Sequence, residues 1–165
     1  MQTRGLDHDR LLIMVASAIL ILDQVTKWLA GLYLPLDEIF SPKVFWIVGL
    51  KLSLNKGLIF GFGTNASSFW WVVFAGNIAI TCIIVLWYYA IRRKQMQTLL
   101  LTVAFGFGIA AGLGNGIDAI VLGYVRDFIT WFGPGTFNLS DLSACIASIL
   151  LVFGIKDLRR WNSFK

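Results

Sequence analysis

Between Phe69 and Ile91 the chain carries no charged residue. At ~1.5 Å of rise per residue, a helix made from such a run crosses the ~30 Å hydrocarbon layer of a bilayer, and it has no polar face to offer water. The remainder of the chain agrees with that solvent: 58% of its residues are hydrophobic, only 14% are charged, and mean hydropathy is +0.76. The composition is that of a polytopic all-α membrane protein, and 165 residues make one integral membrane domain, 1–165. Together with the run at 69–91, apolar segments at about 11–34, 99–125 and 137–155 predict four transmembrane helices. The first stops at Pro35 and holds Asp23 and Lys27 within its length, which is unlike a cleaved signal peptide, so it is expected to stay as a helix.

The segment between the first two spans has a different period. Leu50, Leu52 and Leu54 alternate with Lys51, Ser53 and Asn55, and Val44 to Val48 is a second β-prone run, broken further on by Gly57, Gly61 and Gly63. This predicts a small β-rich segment lying outside the membrane between helices 1 and 2.

The net charge of +5 is gathered in short segments beside apolar runs and forms no continuous basic stripe, so it reads as membrane orientation and excludes nucleic acid as a partner. Arg4 and Arg10 precede the first span, Arg92, Arg93 and Lys94 follow the second, and Lys156, Arg159, Arg160 and Lys165 follow the fourth. Both termini are therefore expected in the cytoplasm, with Lys43, Lys51 and Lys56 on the outer side weakening the asymmetry without reversing it. Trp28, Trp70, Trp71, Trp87, Tyr88, Tyr89 and Trp131 fall near span boundaries, as interfacial aromatic residues do.

Four acids interrupt this apolar background: Asp23, Asp118, Asp127 and Asp141. Ionisable groups at membrane depth are costly and mark functional sites. Asp23 lies roughly 18 Å and Asp118 roughly 28 Å along their helices, while Asp127 and Asp141 flank the second outer connection, so all four belong to the outer half of the membrane. The spacing of Asp23 and Lys27, i to i+4, suits a mutually neutralising pair on one helix face. Asn115 and Asp118 share a face, and Asn55 and Asn77 suit interhelical hydrogen bonds. His8 stands in the tail across the membrane from the acids and is expected to be solvated, which excludes a Ser-His-Asp triad or a histidine metal site with them; neither metal nor organic cofactor is indicated. Cys82 and Cys145 lack paired spacing and read as packing residues. Gly106, Gly108, Gly112, Gly114 and Gly116 fit no phosphate loop and read as close helix approach.

Thirteen residues, 128–140, separate Asp127 from Asp141, and they include Gly133, Pro134 and Gly135, enough to leave one helix, turn and enter the next. Two carboxyl groups brought together share a proton, which provides a general base and a general acid at one place. Such a pair serves an aspartic protease, a proton relay in transport, or a structural proton-sharing contact, and the spacing leaves all three open.

Five blocks decide among them by resemblance. Leu22-Asp23-Gln24-Val25-Thr26-Lys27, Asn55-Lys56-Gly57-Leu58-Ile59-Phe60, Gly112-Leu113-Gly114-Asn115-Gly116-Ile117-Asp118, Val125-Arg126-Asp127-Phe128-Ile129 and Phe137-Asn138-Leu139-Ser140-Asp141 occur in this order. The chain resembles over nearly its whole length the lipoprotein signal peptidase (signal peptidase II) family of bacterial intramembrane aspartic proteases. The resemblance implies that Asp127 and Asp141 are the catalytic dyad, and that Asp23, Lys27, Asn55, Gly57, Asn115, Asp118 and Asn138 shape the site or hold substrate. It further implies an aspartic endopeptidase that cleaves diacylglyceryl-modified prolipoproteins just before the lipidated cysteine, working as a monomer among membrane lipids in the bacterial inner membrane, with its site toward the outer face. Two departures from the family pattern stand out. Ala119 occupies the place of an arginine that usually follows the aspartate of the third block, leaving Arg126 as the nearest cation in sequence for Asp118, and Ala110 and Ala111 replace paired glycines. The alternatives are a proton- or ion-coupled transporter and a divergent, weakly active peptidase.

Overall fold

The computed structural model describes residues 2–44, 48–56, 69–94, 98–131 and 135–162. It is mostly helical: α1 (Gln2–Tyr33), α2 (Phe69–Arg93), α3 (Leu99–Leu122) and α4 (Leu139–Asn162) surround one another, and a small sheet sits at one end of the bundle. α1, α3 and α4 are each long and apolar enough to cross a membrane. α2 is a helix of 25 residues, and the apolar stretch described at side-chain level runs from Ile80 to Arg92.

The solvent expected from composition is written on the surface. Val121, Leu86, Met14 and Ile13 point outward, as do Val152 and Phe153, so the bundle presents its large apolar side chains to its surroundings. Cys82 and Cys145 are free and face outward too, so they do not fill the interior as expected. The interior of α3 is small instead: Ala104, Gly106, Gly108, Ala110, Ala111, Gly114 and Gly116 are buried. Without a hydrophobic drive between helices in lipid, association rests on close packing, and small residues permit it. A Cβ on Gly106 would lie 2.8 Å from Cγ1 of Val15 in α1, one on Gly112 would strike Thr81 of α2, and one on Gly114 would lie 2.6 Å from Oδ2 of Asp23. α3 is therefore the central helix, and Gly106, Gly108, Gly112 and Gly114 mark close approaches as the sequence suggested, whereas a Cβ on Gly116 would meet nothing within 4 Å.

Four antiparallel strands form the sheet in the order β1 (Phe40–Val44), β2 (Val48–Asn55), β3 (Val125–Thr130) and β4 (Thr136–Phe137). The expected strand at Leu50 to Asn55 is present within β2. The expected run at Val44 to Val48 falls largely on residues 45–47, which with Gly61 and Gly63 lie outside the described residues, and the first strand is Phe40–Val44. The segment between α1 and α2 holds only half of the sheet, β3 and β4 coming from the connection between α3 and α4. The expected spans 99–125 and 137–155 are corrected accordingly. α3 stops at Leu122 because Gly123 takes a left-handed conformation (φ 76°) and its N–H caps the carbonyl of Ala119, after which the chain folds back as a strand. α4 starts at Leu139, and the first helix begins at Gln2, its stretch able to cross a membrane being Asp7–Tyr33 where 11–34 was expected. Arg126 and Asp127 thus lie on a strand, where neighbouring side chains leave opposite faces.

Polar contacts close the other end of the bundle. His8 shares a 2.8 Å hydrogen bond with Oγ1 of Thr102, Tyr88 donates to Asp9 at 2.6 Å, and Arg92 pairs with Asp9. His8 is consequently a helix residue tied to α3, where a solvated tail was expected. Beside these contacts Tyr88, Ile91, Leu101 and Phe105 form an apolar cluster, with Phe105 meeting both Trp87 and Tyr88 edge to face.

Replacing Gly106 with alanine is expected to push α1 from α3 and to lower the thermal midpoint in detergent, overpacking costing about 1–3 kcal/mol. Gly31→Ala, whose new methyl meets nothing within 4 Å, should leave the midpoint unchanged or raised. Identical midpoints in the two variants would show that the α1–α3 approach is not that close.

Candidate active site

The first turn of α4 builds the site. Asn138 immediately precedes the helix and its side-chain Oδ1 accepts from the main-chain N–H of Asp141 at 3.1 Å, while Asp141 Oδ2 accepts from the main-chain N–H of Asn138 at 3.1 Å. This is a reciprocal capping box, which satisfies two otherwise orphaned donors and fixes the Asp141 carboxylate against the helix end. The amide nitrogen of the same Asn138 side chain donates to Oδ1 of Asp127 at 2.6 Å. One buried residue therefore holds both aspartates.

Each aspartate has a second amide partner. Asn55, at the end of β2, donates to Oδ2 of Asp127 at 3.0 Å, a contact made possible by the pairing of Asn55 with Val125 and of Ser53 with Asp127. Asn115 of α3 donates to Oδ1 of Asp141 at 2.9 Å. Burial pushes the Asp127 carboxyl up to about 7, the nearby charge of Asp141 adds to the rise, and the hydrogen bonds from Asn55 and Asn138 and the charge of Lys27 oppose it.

Below the pair lies a buried ionic network. Lys27 is fully enclosed and gives its ammonium to Asp23 Oδ2 at 2.9 Å, to Oδ1 of Asn115 at 2.8 Å and to the carbonyl of Gly114 at 3.2 Å. An ammonium on Oδ1 leaves the NH₂ of Asn115 facing Asp141, so Lys27 sets which way that amide points. Asp23 Oδ1 accepts from the main-chain N–H of Ser140 at 2.9 Å, tying α1 to the first turn of α4. Asp118 is bound by Arg126 through Nη2 at 2.6 Å, Nε at 3.0 Å and the main-chain N–H at 2.9 Å. Arg126 is thus the cation that Asp118 finds in a chain with alanine at position 119. In a continuous helix it would stand two turns away; the reversal at Gly123 brings it back over Asp118.

Asp23, Lys27, Asn55, Asn115, Asp118, Asp127, Asn138 and Asp141 all converge at the sheet end of the bundle, and Gly57 lies outside the described residues. Two contributors are not among the expected site residues: Gln24 bonds Asp23, the Gly114 carbonyl and Arg126, and Ser140 supplies its main-chain N–H; Asn138, expected to support the site, does so as a cap. The Asn-x-x-Asp spacing of a capping box at 138–141 was the available signal for the last.

Known proteins share this arrangement of helices and sheet. Residues 15–156 match the signal peptidase (SPase) II family. The chain belongs to the signal peptidase II family. Among its relatives, the lipoprotein signal peptidase of Pseudoalteromonas atlantica is 31% identical over 144 residues, covering 84% of each chain. That of Polynucleobacter necessarius is 30% identical over 155 residues, covering 88% of each. A bacterial membrane enzyme solved by the in meso method at 2.3 Å superposes with a TM-score of 0.73 at 26% identity, over 88% of this chain and 87% of the other. Membership of the signal peptidase II family, with three helices able to cross a membrane among the described residues, makes the chain a bacterial membrane protease.

Removing one member of a buried ion pair strands the other. Lys27→Met is expected to cost about 3–5 kcal/mol of stability, and Asp23→Asn combined with Lys27→Met to recover part of it. Thermal unfolding in detergent measures both; wild-type stability in Lys27→Met would contradict the network.

Proposed function

We propose that this chain is an intramembrane aspartic endopeptidase that removes the signal peptide from diacylglyceryl-modified prolipoproteins, cutting before the lipidated cysteine. The observation that carries the reading is the meeting of Asp127 and Asp141 on the two sides of Asn138, in a chain of the signal peptidase II family. The relatives named lipoprotein signal peptidases support the substrate.

In this reading Asp127 holds the proton shared by the pair and Asp141 is the charged base. Asp141 takes a proton from water as the water oxygen attacks the scissile carbonyl carbon, and Asp127 gives its proton to the carbonyl oxygen, forming a tetrahedral diol. Asp141 then passes its proton to the nitrogen of the lipidated cysteine, Asp127 recovers one from the diol, and the C–N bond breaks. Asn55, Asn115 and Asn138 hold the carboxyl groups in place throughout, and no metal or cofactor enters the scheme. Gly57 has a supporting role in the same reading.

The same reading makes the chain a single monomeric domain with four spans, α2 being the fourth, and places it in the inner membrane with both termini in the cytoplasm. The site then faces the outer leaflet, where a lipidated substrate enters sideways with its acyl chains still in hydrocarbon. The basic residues around 92–94 and after α4 support that orientation. Transport is not favoured, because the four acids gather at one end of the bundle and do not descend through it.

Asp127→Asn and Asp141→Asn are each expected to leave the protein folded and inserted while lowering cleavage of a lipidated prolipoprotein by at least about 10³-fold, each half of the acid–base pair being worth roughly 10²–10⁴. Wild-type cleavage in either, read by gel mobility, would remove the dyad.

Acidity provides a separate check. Since the folded chain keeps the Asp127 proton up to about 7 while the unfolded chain loses it near the ordinary 3.8, the folded state binds more protons between those values, and stability falls as pH rises through that window. Cleavage should likewise decline as pH rises through about 7. In Asp127→Asn the pH slope of stability is expected to flatten; an unchanged slope would place the titration on another group.

A further inference from the structure

Arg126 takes no part in the chemistry above, yet it stands one residue before Asp127 on β3. Alternation along the strand turns the two side chains apart. Asp127 faces Asn55 and Asn138, whereas Arg126 faces Asp118 on α3 and Gln24 on α1. The carboxylate of Asp118 receives the main-chain N–H of residue 126 as well as its Nε and Nη2. A planar fork on a carboxylate restrains direction as well as distance, and a main-chain bond to the same carboxylate removes the remaining freedom of the strand to slide or twist. Residues 118–126 are thereby closed into a clamped loop around the left-handed Gly123.

Charge gives Arg126 a second effect. The ionic network beneath the pair contains two acids, Asp23 and Asp118, and two bases, Lys27 and Arg126, and Lys27 lies 3.9 Å from Asp118 as well as 2.9 Å from Asp23. Among the described residues, the charged groups that act on the pair are Lys27 and Asp23 of α1, with neutral Asn55 from β2, neutral Asn115 from α3 and neutral Asn138 at the start of α4; Asp118 and Arg126 join them through the 3.9 Å approach of Lys27 to Asp118. The set is balanced only while Arg126 is present.

We propose that Arg126 is a positioning residue for the aspartate pair: its fork on Asp118 fixes β3 against α3 so that Asp127 is delivered to Asn138, and its charge keeps the buried network neutral. The proposal rests on the peptidase reading given above and assigns to this chain's own arginine a task that neither Asp127 nor Asp141 performs.

The test uses the full-length protein purified in detergent with a diacylglyceryl-modified prolipoprotein, and compares wild type, Arg126→Gln, Arg126→Lys and the double variant Asp118→Asn with Arg126→Gln. Arg126→Gln is expected to lower kcat by about 10- to 100-fold with KM within about threefold, because a displacement near 1 Å at the reacting groups is enough for such a loss. Its alkaline limb should move to higher pH, since the charge left on Asp118 draws on Lys27, 3.9 Å away, and weakens the cation that favours the ionised pair. In the double variant the network is neutral again and the limb should return, while kcat stays low. Arg126→Lys keeps the charge without the fork, so kcat should fall with the limb unmoved; it also decides the matter if Arg126→Gln does not accumulate as folded protein. Wild-type kcat in Arg126→Lys, or a raised KM with unchanged kcat in Arg126→Gln, would overturn the positioning role. An inactive wild type would instead sink the peptidase reading itself.

Discussion

Asn138 is the point on which the site turns. Its side-chain oxygen caps α4, its side-chain nitrogen holds Asp127, and its main-chain N–H holds Asp141. A helix terminus buried in a membrane protein must find partners for its free N–H groups, because no water is there to supply them. Here that requirement and the requirement to bring two carboxyl groups together are met by the same side chain. The capping geometry also explains why Asp141 is at the third position of the helix: only there can its carboxylate reach back to the N–H of the cap.

The remainder of the ionic network reads as a scaffold for that arrangement. A fully buried lysine is tolerated because every direction of its ammonium meets an acceptor, and each acceptor leads to a group that matters: Asp23 to the first turn of α4, Asn115 to Asp141. Small residues on α3 let the helices approach closely enough for these bonds, and Gly114 would collide with Asp23 if it carried a Cβ. Packing at the glycines and polarity at the site are therefore one constraint, since loosening the helices would also lengthen the hydrogen bonds that orient the amides.

Much of this was legible in the sequence, and the failures have physical causes. Hydropathy revealed the long helices because lipid imposes its length on them, and the acids stood out because charge is rare at that depth. The i,i+4 pairing of Asp23 with Lys27 is found as expected, being a local relation that helical geometry fixes. Non-local relations were less visible. Hydropathy alone carries the third span to Val125, and only the left-handed turn at Gly123 ends the helix earlier and makes Val125 to Thr130 a strand paired with β2. For the same reason the pairing of Arg126 with Asp118 looked two turns too distant. The tie between His8 and Thr102 joins residues 94 apart and leaves no periodic trace at all. The capping role of Asn138 has a local signature, the Asn-x-x-Asp spacing, but an apolar run that begins at Phe137 places Asn138 inside the helix and hides it.

The central claim is that Asp127 and Asp141 flank one reacting carbon. An experimental structure in a lipid mesophase, bound to a lipidated signal-peptide analogue with a hydroxyl-bearing carbon in place of the scissile carbonyl, tests it most directly. The account requires that hydroxyl to lie within hydrogen-bonding distance of both carboxyl groups, with Asn138 still joining them. A hydroxyl seated elsewhere, or carboxyl groups directed away from each other around a bound analogue, would contradict it.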